Sequence, residues 1–199
     1  MKSNSRELGL FPLRLFMLPG EQSTLHIYEP RYLQLVSECL TTDCSFGIPY
    51  QGKTTLSEFG SLCEIVEVSK TYETGEMDIL VECKENFKIN HFQGKAEDKL
   101  YPYGSITLLD YRNDAPSQDL MTVVKKYLET LLGNTIGDQL NDYYSYDRII
   151  KSINLTDEEK FKFLGYQPSR RNSFLIGKTK FLTLLVEQEK KVVDQFYLN

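Results

Sequence analysis

The segment from Gly47 to Thr54, GIPYQGKT, is the part of the chain whose residue types and spacing come nearest to a catalytic motif. It satisfies G-x-x-x-x-G-K-[ST], the loop that holds nucleotide phosphates with backbone amides and a lysine. That loop needs a helix that begins at the Lys-Thr pair, because the helix N-terminus faces the phosphates. Here Pro49 removes one amide, and the residues after Thr54 soon become strand-like. We therefore interpret the match as fortuitous, and a nucleotide-binding enzyme is the least favoured function.

The histidines and cysteines do not form a recognisable metal or nucleophile motif. His26 and His91 alternate with apolar residues, which predicts partly buried, hydrogen-bonded side chains on strands. Cys39 and Cys44 form a C-x4-C pair among the four cysteines, but a closed zinc site needs four ligands at shorter spacing. The cysteines are interpreted as structural thiols of a reducing compartment. We expect no cofactor and no metal ion.

Alternating apolar and polar residues predict strands in the first part of the chain. Within 61–68 two consecutive apolar residues, Ile65 and Val66, indicate a β-bulge. Residues 72–76 have the composition of a hairpin turn. One helix interrupts the strands and has Pro30 in its first turn. The predicted strands are 61–68, 77–83, 87–92 and 103–111, and the apolar face of the helix is Tyr32, Leu35, Val36 and Cys39.

Helical spacing replaces the strand pattern from Pro116 onward. The first helix of this part should end at Gly133-Asn134, and another should begin at the capping box formed by Thr156 and Glu159. A last helix of about 24 residues should follow Pro168. The predicted apolar stripes are Leu120, Val123, Val124, Tyr127, Leu128 and Leu131; then Tyr146, Ile149, Ile150 and Ile153; and, on the last helix, Phe174, Phe181, Leu184, Leu185, Gln188, Val192 and Phe196. We expect the last stripe to pack on neighbouring helices.

Composition and charge exclude several classes of protein. The 199 residues carry a net charge of −5, and residues 1–112 hold 11 Lys and Arg against 16 Asp and Glu. Nonspecific nucleic-acid binding depends on clustered basic residues, so a nucleic-acid partner is not expected. No apolar run approaches the length of a membrane span, and the charged, proline-containing start does not fit a signal peptide. The expected location is the cytoplasm.

Three segments near the start carry a family resemblance: 11–20, FPLRLFMLPG; 25–32, LHIYEPRY; and 46–48, FGI. Together they resemble the N-terminal domain of the ATP-dependent Lon protease, and in particular its short stand-alone bacterial members. Residues 60–65 and 79–82 fit the next strands of that family, and 155–160 with the last helix resemble its helical half. The resemblance therefore extends over nearly the whole chain.

The resemblance implies an α+β fold. Its expected parts are a β-rich, PUA-like pseudo-barrel of about six strands with one inserted helix, then a helical bundle that ends in a long helix. The strand and helix patterns agree with this order, and we place the boundary between residues 1–112 and residues 113–199. No segment resembles the Ser/Lys protease domain of Lon, so the chain is not expected to be an enzyme.

The resemblance also implies a function, which is recognition of polypeptide substrates. We expect binding of unfolded or exposed apolar segments, or of a dedicated protein partner. The alternative is an assembly or adaptor protein that acts through self-association or docking. Tyrosine and arginine are common at interfaces, and three tyrosines at 143, 144 and 146 cannot all face one core from a helix. The candidate binding residues are Tyr28, Glu29, Arg31 and Tyr32, from the family motif, with Tyr143 and Tyr144.

Overall fold

The strand-rich part of the chain precedes the helical part, as expected from the change in periodicity. In a computed structural model, residues 5–52, 55–95, 98–111, 114–135 and 145–197 are described. Contacts divide the chain into two units, Met1–Asp110 and Tyr111–Asn199. The elements are β1 Ser5–Gly9, β2 Gln22–Ile27, α1 Pro30–Thr42, β3 Phe46–Gln51, β4 Leu56–Thr71, β5 Met77–Gln93, β6 Tyr103–Leu108, α2 Gln118–Leu132, α3 Tyr146–Ile153, α4 Asp157–Gly165 and α5 Pro168–Tyr197. The described fold is α+β, as expected.

An antiparallel sheet organises the first unit. The strand order is β1-β6-β5-β4-β3, and β2 pairs with β5 outside this path. Parallel bridges from Leu10 to Gly47 and from Leu13 to Tyr50 join the segment after β1 to β3. The two ends of the strand order therefore meet, and the sheet closes on itself.

The expected strands 77–83 and 87–92 are one continuous strand, β5. Its second half, from Phe87, pairs with β6, whereas Met77–Glu82 pairs with β2. β4 pairs with β5 along both halves, and its register shifts between Ile65 and Glu67, where the bulge was predicted. We call the three-stranded part formed by Gln22–Ile27, Glu64–Thr71 and Met77–Glu82 the arm.

Helix α1 covers the inner face of the arm. Pro30 occupies its first turn, and the predicted apolar face is confirmed by the four buried side chains. Strand alternation turns Ile79, Val81 and Cys83 toward this helix, while the residues between them face outward. The cluster buried between helix and sheet contains Tyr32, Leu35, Val36, Cys39, Ile27, Phe46, Ile48, Cys63, Ile79, Val81 and Cys83.

A buried polar node lies where the segment before β2 crosses the sheet. The Met17 backbone N–H donates to Ser61 Oγ at 3.0 Å, and the Ser61 hydroxyl donates to the Met17 carbonyl at 2.8 Å. The same carbonyl accepts from Asn86 Nδ2 at 2.8 Å and lies 3.4 Å from the Cys83 sulfur. Because Ser61, Asn86 and Cys83 are all inaccessible to solvent, these bonds replace the water that Met17 loses on folding.

Helices α2 and α3 bury most of the apolar residues that the sequence predicted for them. In α3 all four members of the predicted stripe are buried. Thr156 and Glu159 form the predicted capping box at the start of α4, where each side chain bonds to the other residue's backbone N–H. In α2 Leu120, Val124, Tyr127 and Leu128 of the predicted stripe are buried, whereas Val123 is partly accessible and Leu131 is exposed.

Helix α5 presents a different face to its neighbours from the one predicted. It has 30 residues, and the buried ones among its described side chains are Leu175, Thr179 and Thr183. Each threonine hydroxyl donates to the carbonyl one helical turn earlier, so the polar groups are satisfied inside the helix and can be buried. The predicted stripe was wrong because it left out these two threonines, whose side chains can be buried once their hydroxyls are satisfied. Phe181, Leu184, Leu185 and Val192 are exposed, and the side chain of Phe196 lies outside the described part.

Candidate functional site

The outer face of the arm brings together side chains that are far apart in sequence. In the antiparallel register of β2 and β5, His26 lies opposite Asp78. Alternation turns both side chains to the outer face, away from the core that contains Ile27 and Ile79. Tyr72 follows the end of β4, in the hairpin that leads into β5. Two strand ends and one turn thus position this group.

Asp78 is the centre of the polar contacts in this group. Its Oδ1 lies 2.6 Å from His26 Nδ1, and its Oδ2 accepts from the Tyr72 hydroxyl at 2.8 Å. His26 Nε2 lies 3.6 Å from the Glu76 carboxylate. The bond to His26, and then that to Tyr72, lower the pKa of Asp78 below its usual value. A charged carboxylate therefore holds both aromatic rings in place.

The rings form a continuous surface that we call the aromatic platform, composed of Tyr28, His26 and Tyr72. Tyr28 stacks on His26 with ring centroids 5.9 Å apart, and Tyr72 meets His26 edge-on at 5.6 Å. Lys70 Nζ lies 4.2 Å from the centroid of the Tyr72 ring. Tyr28 is 59% exposed, so its outer surface is open to solvent. Such a surface can stack with planar or apolar groups of many shapes.

Glu29, Arg31 and Tyr32 lie beside the platform at the start of α1. The Arg31 guanidinium pairs with Glu29 at 2.7 Å and lies 4.5 Å from the centroid of the Tyr32 ring. Glu29 occupies the N-cap position without a side-chain capping bond. Tyr32 is only 5% exposed and stacks on Phe11 with centroids 3.8 Å apart. Tyr32 is therefore part of the core and lies under Arg31, whereas Arg31 and Glu29 are partly accessible.

Of the other candidate residues, Tyr143 and Tyr144 lie outside the described residues. The phosphate-loop match is described up to Gly52, and Lys53 and Thr54 also lie outside. Residues 47–51 of the match belong to β3, which pairs with β4 as an antiparallel hairpin, with Gln51 opposite Leu56. A phosphate loop instead leads from a strand into a helix, so the local architecture agrees with the interpretation of a chance match.

The prediction of partly buried, hydrogen-bonded histidines is confirmed only in part: His26 bonds to Asp78, but His26 and His91 are both exposed. Alternation on a strand identifies two faces but does not say which one is covered. Tyr72 and Asp78 were not identified as candidates either, since their relation to His26 depends on strand pairing across 52 positions. The described partners of His26 are carboxylates and aromatic rings. These contacts hold the His26 ring within an aromatic surface.

A second accessible apolar surface runs along the second unit. It comprises the exposed α5 side chains, which we call the α5 face: Phe181, Leu184, Leu185, Val192 and Val193. A groove of about 340 Å³ lies beside it between α2 and α5. Its floor includes Val123 and Leu184, and the Lys126 ammonium and Glu187 carboxylate lie 3.9 Å apart at its side.

The described residues offer neither a metal site nor a membrane-spanning helix. No three His, Cys, Asp or Glu side chains in this part of the chain come together in an arrangement that could hold a metal ion. Among the same residues, no helix combines the length and the apolar character needed to cross a membrane.

Comparison with known proteins identifies relatives of this architecture. The family model of the ATP-dependent protease La (LON) substrate-binding domain matches residues 7–164. A crystal structure of a Lon N-terminal domain protein from Xanthomonas campestris is similar, with a TM-score of 0.65 and 20% identity over 86% of this chain and 98% of that one. The N-terminal domain of the Mycobacterium avium complex Lon protease has a TM-score of 0.58 and 13% identity, over 88% and 98% of the two chains. No curated protein sequence is significantly similar.

Proposed function

Because this chain belongs to the family of the ATP-dependent protease La (LON) substrate-binding domain, we propose that it is a noncatalytic module that binds unfolded or exposed apolar segments of other polypeptides. The family match over residues 7–164 is the observation that carries this proposal. The family model describes a domain for substrate recognition. The first five residues of the phosphate-loop match belong to β3, which pairs with β4, so the proposal gives the match no role in nucleotide chemistry.

The aromatic platform is the binding surface that we propose in the first unit. Tyr28 is exposed, and its ring rests on His26, which the Asp78 carboxylate holds from behind. Little conformational entropy is lost when a prearranged aromatic surface binds, and stacking does not require a particular side chain. These properties suit a protein that binds many sequences. Glu29 and Arg31 would form the polar margin of the surface, and Tyr32 its buried support.

The test is a titration of the full chain into a fluorescently labelled, permanently unfolded polypeptide and, separately, into its folded counterpart. Fluorescence anisotropy should show micromolar binding to the unfolded form and weaker binding to the folded one. Tyr28→Ala should weaken binding about tenfold, as expected for the loss of one interface aromatic, whereas Tyr28→Phe should keep most of it. Equal binding of both forms, or none of either, would refute the proposal.

Leu184→Ala is the matched control, because it tests whether the polypeptide binds to the first unit or to the second. Leu184 is 58% exposed, like Tyr28, but it lies on the α5 face of the other unit. Removing it should leave the affinity for the unfolded polypeptide unchanged. A loss with Leu184→Ala but not with Tyr28→Ala would assign polypeptide binding to the second unit.

The α5 face supports a second candidate function, assembly or docking to another protein. Its five apolar side chains stand free on one helix, and self-association would remove them from water. Sedimentation equilibrium over a wide concentration range tests this directly. A mass that rises with concentration in the native chain and stays constant in Phe181→Ser would favour assembly, and a constant monomer mass would exclude self-association.

The proposal assigns recognition to residues 1–112 and docking to residues 113–199, in the cytoplasm. A nucleic-acid partner has no part in it. The outer face of the arm carries the acidic residues Glu64, Glu67, Asp78 and Glu82, and of the described basic residues only Lys70 and Lys84 lie among them. This excess of negative charge opposes a phosphate backbone. Filter binding with a labelled RNA at physiological salt is expected to show no retention, and saturable retention would contradict this part of the proposal.

A further inference from the structure

The end of α1 brings two cysteines together through backbone geometry. Asp43 adopts a left-handed conformation with φ of 53°, and its N–H donates to the Cys39 carbonyl. The Cys44 N–H reaches the same carbonyl at 3.2 Å. This is the Schellman type of helix ending, in which the second residue beyond the helix folds back onto the last turn. The side chains that meet in this way are usually apolar, and here both are thiols.

The two sulfur atoms lie 2.7 Å apart, in contact and without a covalent bond. Cys39 is 3% exposed and belongs to the core cluster under the arm, whereas Cys44 is exposed. We propose that Cys39 and Cys44 form a reversible thiol oxidation site that reacts with the disulfides of low-molecular-weight thiols. Cys44 is the entry point, and Cys39 is the resolving thiol. This proposal is independent of polypeptide binding.

The reaction takes place in two exchange steps. The Cys44 thiolate attacks one sulfur of the disulfide RSSR, which gives a mixed disulfide at Cys44 and releases RS⁻. Cys39 then loses its proton and attacks the Cys44 sulfur, so that the bond between Cys39 and Cys44 forms and a second RS⁻ leaves. Both leaving thiolates take up protons. In total, two protein thiols are oxidised, and one RSSR is reduced to two RSH.

Accessibility sets the order of the steps. Burial raises the pKa of the Cys39 thiol, so this residue stays protonated and is a poor first nucleophile. Once the mixed disulfide has formed, however, Cys39 is already in contact with its target. An attacking group held next to its target reacts at a high effective concentration. The mixed disulfide should therefore be short-lived in the native chain.

The other two cysteines provide an internal comparison. Cys63 and Cys83 lie opposite each other on β4 and β5, so they too are close neighbours. Both have no accessible surface, and burial raises the pKa of Cys63 far above its usual value. An oxidant has no exposed sulfur to attack in this pair. Proximity is thus shared by the two pairs, and only Cys39 and Cys44 combine it with access.

The test is incubation of the folded full chain with excess glutathione disulfide, followed by thiol counting in denaturant and by intact mass. The four thiols should fall to two, the mass should fall by about 2 Da, and a peptide map should place the bond between Cys39 and Cys44. Dithiothreitol should restore all four. Four remaining thiols, or loss of Cys63 and Cys83 instead, would refute the proposal.

Two variants separate the entry thiol from the resolving one. Cys39→Ser should stop at a stable glutathione adduct on Cys44, with a mass gain of about 305 Da. Cys44→Ser changes an exposed position and should keep all three of its remaining thiols after the same treatment. If Cys39→Ser does not fold, Cys44→Ser still decides the matter, because loss of thiols in that variant would show that oxidation does not need Cys44.

Discussion

Replacing Ser61 with alanine is expected to destabilise the first unit by about 2 kcal/mol. The hydroxyl of Ser61 is the described partner of the Met17 N–H, at 3.0 Å, in a place without solvent access. A buried amide N–H without a hydrogen-bond partner lowers the free energy of unfolding by about 1–3 kcal/mol. The Met17 carbonyl also loses the Ser61 hydroxyl, but it keeps Asn86 at 2.8 Å, so this loss adds little. The estimate therefore lies in the middle of the range for one amide.

Amide hydrogen exchange measured by mass spectrometry follows each unit separately. A loss of about 2 kcal/mol corresponds to exchange about 30 times faster for amides that are exposed only by unfolding of the unit. Peptides from β4 and β5 should show this acceleration, whereas peptides from α2 and α5 should exchange as before. Ser69→Ala is the matched control, because the Ser69 hydroxyl is exposed and bonds only weakly, at 3.4 Å, to Glu67. It should change exchange by less than threefold.

An acceleration below threefold in Ser61→Ala would refute this reasoning, since it would mean that the Met17 amide finds another partner or tolerates having none. Equal acceleration in both units would also contradict it, because the node belongs to the first unit alone.

Three further predictions concern packing, capping and pH. Gly60→Ala should lower the stability of the first unit by roughly 1–3 kcal/mol in urea unfolding, because the added Cβ would lie 2.6 Å from the Ile48 carbonyl oxygen and 2.4 Å from the ring of Phe87. Thr156→Ala should cost about 1 kcal/mol, seen as faster amide exchange in α4 alone, because the capping box loses its hydroxyl. The folded-state pKa of Asp78 is lowered, so its contribution to stability is complete above the unfolded value of about 3.9 and is lost as the pH falls through the lower folded value. A carboxyl NMR titration should place this pKa below that of an unfolded peptide, and Asp78→Asn should remove the acid-dependent part of the arm's exchange protection.

The sequence predicted the elements whose signals are local. Apolar spacing identified the buried face of α1, the pair Thr156 and Glu159 identified the start of α4, and the doubled apolar step at Ile65 identified the bulge of β4. Each of these depends on residues within one or two turns or along one strand, so the neighbouring chain determines it.

Features that depend on what covers a surface were not predictable in the same way. The buried face of α5 contains Thr179 and Thr183, whose hydroxyls are satisfied within the helix. A stripe chosen mainly for its apolar residues therefore did not coincide with the buried face. The platform was predicted in part: Tyr28 was a candidate, but its neighbours Tyr72 and Asp78 reach it only through the hairpin and the pairing of β2 with β5. Register over such distances cannot be read from one sequence.

The continuity of β5 has a mechanical consequence. One strand of 17 residues runs from the arm, where it pairs with β2, into the closed part of the sheet, where it pairs with β6. No loop interrupts it, so a pull on the outer end of the arm is transmitted directly along the backbone. Tension parallel to β5 loads its many interstrand hydrogen bonds together, in shear, whereas tension across the strand would break them one after another. The arm therefore resists a force directed along β5 and yields more easily to a force directed across the strand.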